Sequence, residues 1–428
     1  MSTATLDEML ACAEKAVRCF GLGSLRTHQR EVLRNLAEHR AVFAGLPTGY
    51  GKSLCYWLPA RAWGWKVWVI SPLVSLIQDQ AISAKARGLR VVAWQGKLTD
   101  TQRAEREEEM QSGAWEVCFL SPERFVAWAE NGYLHSLRCM GLDADLLVLD
   151  EMHCMEEWRE FRSAYRNLGE HFYRSVSGGT LFLGLSASLS AFHGRAWMAE
   201  FCGDHALVQA GLGRKNLSLE VLPLEREEER WLEVVSYLRE LHAPQSALVY
   251  CHSRGECDDL ARWLKSAGIP AVAYHAGLPQ EERTVRSLAF REGRLRVICA
   301  TSAFGMGIDY PHVECVVHFS MPHDLESYWQ EVGRAGRSGA PARALAFWRR
   351  SEITRARILQ AGSRERFAAL WKAWAEGGCR VRAVASRLGM QEDECGRCDR
   401  CQGKQILAWW LEPEAQLDAW LEQNFNFV

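Results

Sequence analysis

Short apolar runs alternate with helical stretches along most of this chain, and that alternation restricts the fold to one class. The runs are 41–44 (AVFA), 66–70 (KVWVI), 90–94 (RVVAW), 115–120 (WEVCFL), 145–149 (DLLVL) and 180–185 (TLFLGL). Strands that are apolar on both faces and joined through helices form a parallel sheet covered on both sides. The pattern begins again at 246–251 (SALVYC), 271–274 (AVAY), 295–300 (LRVICA), 314–319 (ECVVHF) and 343–348 (RALAFW). Between the two sets, residues 209–228 carry Gly211 and Gly213 ahead of an acidic, proline-containing run, and read as a linker. Amphipathic helices at 6–20 and 25–37 precede the first strand. The expected fold class is α/β, with two doubly wound parallel-sheet domains of comparable size.

Only the first set carries a phosphate loop. Its opening run leads into FAGLPTGYGKSLCY (43–56), a strand, a Pro/Gly-rich turn and an apolar helix start at Leu54. Backbone N–H groups of such a turn face phosphates, Lys52 adds a positive charge, and the Ser53 hydroxyl suits Mg²⁺. Leu46 stands where the strict motif has its first glycine. Further on, LLVLDE ends in Asp150 and Glu151, carboxylates at the C-terminal end of a parallel strand, where ligands bind such sheets. Asp150 suits Mg²⁺ and Glu151 suits polarising an attacking water. In the second set, ESYWQEVGRAGRSG (326–339) places Arg334 and Arg337 three apart, projecting along one face at a helix start. Arginines brought to a γ-phosphate stabilise transition-state charge. Upstream, Thr301 and Gly305-Met-Gly307-Ile-Asp309 put glycines where backbone approaches phosphate, with a carboxylate beside them.

The formal net charge is −2, so a nucleic-acid surface has to be a local groove. No apolar run is long enough for a membrane, and the N-terminus lacks a secretory pattern, which points to the cytosol (bacterial cytosol or nucleoid) and to reduced thiols. One cysteine group stands apart: Cys379, then Cys395, Cys398 and Cys401 in a CxxCxxC run. Four thiolates suit structural tetrahedral Zn²⁺, and an iron–sulfur cluster uses similar ligands. The basic helix between them offers Arg380, Arg382 and Arg387 to a phosphate backbone or to solvent. After Lys404 the tail has no Lys or Arg, and Glu412, Glu414, Asp418 and Glu422 alternate with Trp409, Trp410, Leu417 and Trp420. That acidic amphipathic segment suits the zinc module or a protein partner better than DNA.

Together these motifs resemble the RecQ family of ATP-dependent DNA helicases from about Phe20 to Cys401. The matching stretches are Phe20, Gly21, Arg26 and Gln29, LPTGYGKSLCY (46–56), SPLVSLIQDQ (71–80), SPERF (121–125), DEMHC (150–154), YCHSR (250–254), YHAGL (274–278), AFGMGID (303–309) and the arginine segment. The resemblance implies two RecA-like domains, 1–208 and 209–347, followed by a small zinc-binding helical domain with the acidic tail, 348–428. It implies ATP contacts from Arg26 and Gln29 to adenine, from Thr48, Gly49, Gly51, Lys52 and Ser53 to phosphate and Mg²⁺, and from Asp309. Asp150, Glu151 and His153 form the DEAH-type box, while Gln330, Arg334 and Arg337 close the site. Trp158, Phe161 and Arg162 fall in the family's aromatic-rich loop that senses single-stranded DNA. The implied activity is 3′→5′ translocation on single-stranded DNA and unwinding of forked or partial duplexes, serving recombination and repair. The alternative is a DNA-stimulated ATPase or translocase that remodels protein–DNA complexes, since residues 402–428 are too few for a winged helix. Three departures stand out: Leu22 replaces an adenine-stacking aromatic, the box reads DEMH, and Trp158 to Phe161 is one residue short.

Overall fold

The structure is a computed structural model. It describes residues 5–403 except 48, 73, 95, 97, 153–167, 173–178, 187–197, 200, 213, 225, 243, 303, 305–309, 311, 350–360 and 376. The chain divides into two compact units, Met1–Ala210 and Gly211–Val428.

The first unit is built on seven parallel strands: β1 (Ala41–Gly45), β2 (Val67–Ile70), β3 (Val91–Trp94), β4 (Val117–Leu120), β5 (Leu146–Leu149), β6 (Leu181–Ser186) and β7 (Ala206–Gln209), in the order β3-β4-β2-β5-β6-β1-β7. Alternate residues of one strand serve opposite faces. Val42 and Ala44 join a core with the helices Leu6–Cys19, Thr27–Glu38 and Leu54–Trp63, whereas Ala41 and Phe43 pack with Phe172, Phe182 and Phe201. Both faces are covered, which explains why the strands read as continuous apolar runs.

The second unit holds six strands: β8 (Leu217–Leu224), β9 (Ser246–Tyr250), β10 (Ala271–Tyr274), β11 (Val297–Ala300), β12 (Val313–His318) and β13 (Ala342–Arg349), in the order β10-β11-β9-β12-β13-β8, all pairs parallel. The helices Ala361–Ala375 and Arg380–Arg387 lie on one face, where Trp371, Trp374, Val384 and Cys398 share a core with Leu217, Leu219 and Trp348.

Two strands escape the sequence reading. β7 is short and pairs with β1. More consequential is β8, which lies inside the expected linker 209–228 and pairs with β13 along its full length. Its alternation (LSLEVLPL, with Leu217, Leu219 and Val221 buried) is that of a strand, and Pro223 is tolerated because β8 is an edge. Its open side is covered by the CxxCxxC segment. Asp399 N–H donates to Leu219 O at 3.1 Å, Val221 N–H donates to Asp399 Oδ2 at 3.0 Å, and the Ser218 hydroxyl donates to Arg397 O at 2.7 Å. Covering an edge this way removes a template for unwanted strand pairing.

Candidate nucleotide site and cysteine cluster

β1 and β5 flank β6, so the loops leaving their C-terminal ends emerge side by side. Leu46 N–H donates to Ser186 O at 2.9 Å, which ties the root of the phosphate loop to β6. Gly49 (φ 78°) and Gly51 (φ 82°) take left-handed conformations, and a Cβ on Gly51 would sit 2.7 Å from Gln29 Nε2. Gln29, only 2% exposed, donates from Nε2 to Tyr50 O at 2.8 Å and Gly51 O at 3.1 Å, and accepts Arg26 N–H at 2.9 Å. Arg26 Nη1 donates to Gly49 O at 3.0 Å. Both residues expected at adenine are thus braced against the loop backbone. Ser53 opens the helix Leu54–Trp63.

Lys52 Nζ donates to Glu151 Oε1 at 3.1 Å and Oε2 at 3.0 Å. Glu151 (φ 48°) is the only non-glycine among the described residues with a left-handed backbone. Such a conformation costs on the order of 1–2 kcal/mol. Its N–H is held by Asp150 Oδ1 at 3.0 Å, and Met152 N–H donates to Leu185 O at 2.9 Å. The same turn that strains Glu151 therefore aims it at Lys52. Asp150 is buried, and its Oδ2 accepts Gln80 Nε2–H at 2.5 Å. Burial first, and the charge of Glu151 second, push the Asp150 carboxyl up to about 6, against the opposing pull of Lys52 and the Gln80 hydrogen bond. Two adjacent carboxylates with one lysine fit a divalent cation held by Asp150 and the Ser53 hydroxyl. Met152, in the box position usually held by a small residue, lies against Gly184, where a Cβ would come within 2.9 Å of its sulfur.

Gln80 is the site residue that sequence reading missed. Its signal was its place in the matching stretch 71–80, on the helix Val74–Ala86 that follows β2, next to β5.

In the second unit, Gln330 lies on the helix Leu325–Val332, but Arg334 and Arg337 do not start a helix. They sit in the turns after its C-terminus: Gly333 N–H makes the last helical bond, to Trp329 O at 2.8 Å, the next two N–H groups bond three residues back, and Gly336 (φ 62°) donates its N–H to Val313 O at 2.7 Å. Arg334 is buried, and burial outweighs its pull on the nearby Tyr250 phenol, whose pKa is raised. Thr48, His153, Trp158, Phe161, Arg162, Asp309 and the acidic tail lie outside the described residues.

The four cysteines converge, with the sulfurs of Cys379, Cys395, Cys398 and Cys401 within 4.8 Å of one another. Tetrahedral Zn²⁺–thiolate bonds put sulfurs about 3.8 Å apart. The Cys395 and Cys401 sulfurs are 3.9 Å apart, and backbone N–H groups of Cys395, Cys398 and Cys401 donate to the sulfurs of Cys379, Cys395 and Cys398 at 3.2–3.4 Å. Cys379 caps the helix Arg380–Arg387. Arg380, expected to face a phosphate backbone or solvent, is instead 1% exposed and paired with Asp399, Nε to Oδ1 at 2.6 Å and Nη2 to Oδ2 at 2.9 Å. As the first helical residue after Cys379 it faces the core. Arg382 stays exposed beside Glu394.

Residues 26–193 match the DEAD/DEAH box helicase family and residues 230–339 the helicase conserved C-terminal domain. The ATP-dependent DNA helicase RecQ of Bacillus subtilis is 30% identical over 89% of this chain and 65% of its own length. RecQ of Pasteurella multocida is 29% identical over 94% of this chain and 62% of its own. Both matching models are those of DEAD/DEAH-box helicases, and over most of its length the chain is similar to RecQ helicases. This chain therefore carries both helicase domains, the second following the first. It spans less than two thirds of the length of these relatives. Its fold is also that of the helicase Lhr of Mycobacterium smegmatis, solved with single-stranded DNA and AMP-PNP, at a TM-score of 0.60 and 20% identity over 96% of this chain and 57% of that one. Among the described residues, no helix is long and apolar enough to cross a membrane.

Proposed function

We propose that this chain is an ATPase of the RecQ type and a 3′→5′ DNA helicase that translocates on single-stranded DNA and opens forked or partial duplexes. The observation that carries the ATP half is the Lys52–Glu151 ion pair at the carboxyl ends of β1 and β5. Phosphoryl transfer depends on positioning and charge stabilisation rather than covalent chemistry. An arriving triphosphate competes with Glu151 for Lys52, so binding frees the carboxylate to orient water. Ser53 and Asp150 would hold Mg²⁺, which neutralises charge on the phosphates. Gln80 keeps the Asp150 carboxylate in place through its 2.5 Å hydrogen bond. Arg334 and Arg337 supply the arginine device of the second unit, Gln330 acts with them, and Asp309 and Thr48 line the nucleotide. Single-stranded DNA is read by Trp158, Phe161 and Arg162, since stacking grips any base.

The four cysteines would hold a structural Zn²⁺: all four positions are protein thiols, which leaves none for substrate. The similarity to RecQ helicases supports the DNA half of the reading.

The test is a strand-separation assay on duplexes with a 3′ or a 5′ single-stranded tail. ATP-dependent opening of the 3′-tailed duplex alone is expected. Opening only from the 5′ tail would refute the polarity. Strong DNA stimulation of hydrolysis without strand separation would favour a translocase that remodels protein–DNA complexes.

A further inference from the structure

The turn that carries Arg334 and Arg337 has irregular backbone, tied in part through its own carbonyl groups, of which Gly336 O accepts Gly339 N–H at 3.1 Å. Four carbonyl groups there also accept from two side chains of the stretch that composition reads as a linker. Arg214 Nη1 donates to Gly333 O at 2.8 Å, and its Nη2 donates to Ala335 O. Asn216 Nδ2 donates to Gly336 O at 2.7 Å and Ala340 O at 2.6 Å, while its own carbonyl accepts Ala342 N–H at 2.9 Å. A guanidinium at the C-terminal end of the helix Leu325–Val332 also complements the helix dipole.

The fit is close. A Cβ on Gly336 would fall 2.5 Å from Asn216 Nδ2 and 2.6 Å from Ala342 Cβ, so the clamp and the glycine require each other. Arg337 is near enough that its charge, after burial, helps push the Arg214 guanidinium down to about 10. Arg214 thus holds the backbone on both sides of Arg334 and stands beside Arg337.

We propose that Arg214 and Asn216 are positioning residues for ATP hydrolysis, fixing Arg334 and Arg337 by holding the carbonyls of the turn between them. They touch no substrate and act through the turn. The inference rests on reading Arg334 and Arg337 as the arginines that meet the nucleotide.

A double-mutant cycle on the full chain tests it, with Arg214→Gln, Arg337→Ala and the double variant assayed for ATP hydrolysis on single-stranded DNA. Arg337→Ala is expected to lower kcat by about 10³-fold, the range for such arginines. Arg214→Gln is expected to lower kcat by about tenfold or more, with KM for ATP within about threefold, as for an interaction felt in the transition state. In the Arg337→Ala background it should lower kcat by a smaller factor than in the wild type, because only its effect through Arg334 remains. Arg214→Lys, which keeps one donor, should recover part of the loss. Should Arg214→Gln yield no soluble protein, Asn216→Ala and Arg214→Lys enter the same cycle. Wild-type kcat in the clamp variants, or a loss that multiplies fully with Arg337→Ala, would overturn the proposal. Wild-type kcat in Arg337→Ala would instead overturn the reading of the arginines.

Discussion

Replacing Glu151 by glutamine is expected to stop ATP turnover while leaving ATP bound as tightly as in the wild type, or more tightly. Glutamine is nearly isosteric, so the left-handed backbone at position 151 and the Asp150 Oδ1 contact to its N–H can persist. Lost is the charge that polarises water, worth about 10²–10⁴ in rate for a positioned acid–base group. Lys52, bound at 3.0–3.1 Å to both Glu151 oxygens, gives up a partner that competes with phosphate. Binding and hydrolysis thus move apart, which general loss of structure would not do. Phosphate release and nucleotide affinity measured on the same preparation check this. Turnover within about tenfold of wild type would mean that Glu151 is not the group that activates water.

The second large effect is structural. Asp399→Ala is expected to destabilise the second unit by about 3–5 kcal/mol, the usual cost of stripping one partner from a buried ion pair. Arg380 would keep a buried guanidinium without its carboxylate, and Val221 N–H and Arg400 N–H would lose the oxygens they now share. The damage would reach β8, whose open side that segment covers. In a unit of this size the loss corresponds to a fall in the unfolding midpoint of roughly 10 °C. Circular dichroism on heating, with metal content measured alongside, checks it. A midpoint within a degree or two of wild type would show that the buried pair does not tie the cysteine segment to the sheet.

Asp399 and β8 also show where the sequence was legible and where it was not. Strands such as β5 and β9, apolar on both faces, announce themselves, because a parallel sheet buries every residue. β8 alternates, carries Glu220 and Pro223, and follows two glycines, so it resembles a loop until its edge position is known. Lys52, Asp150 and Glu151 were legible because phosphate chemistry demands particular groups at strand ends. The residues that hold them in place were not. Gln80 reaches Asp150 from another element, and Arg214 reaches a turn far along the chain. Neither side chain differs in type from many exposed ones. Arg380 misled for the same reason, since a basic helix looks solvated until the carboxylate of Asp399 is found beside it.

The most direct measurement is the rate of ATP hydrolysis with and without single-stranded DNA, in the wild type and in Lys52→Ala. The lysine is the one side chain that both the phosphate loop and the Glu151 pair require. Single-stranded DNA should raise the wild-type rate severalfold, and Lys52→Ala should abolish hydrolysis under both conditions. Turnover that survives Lys52→Ala, or that ignores DNA, would contradict the account.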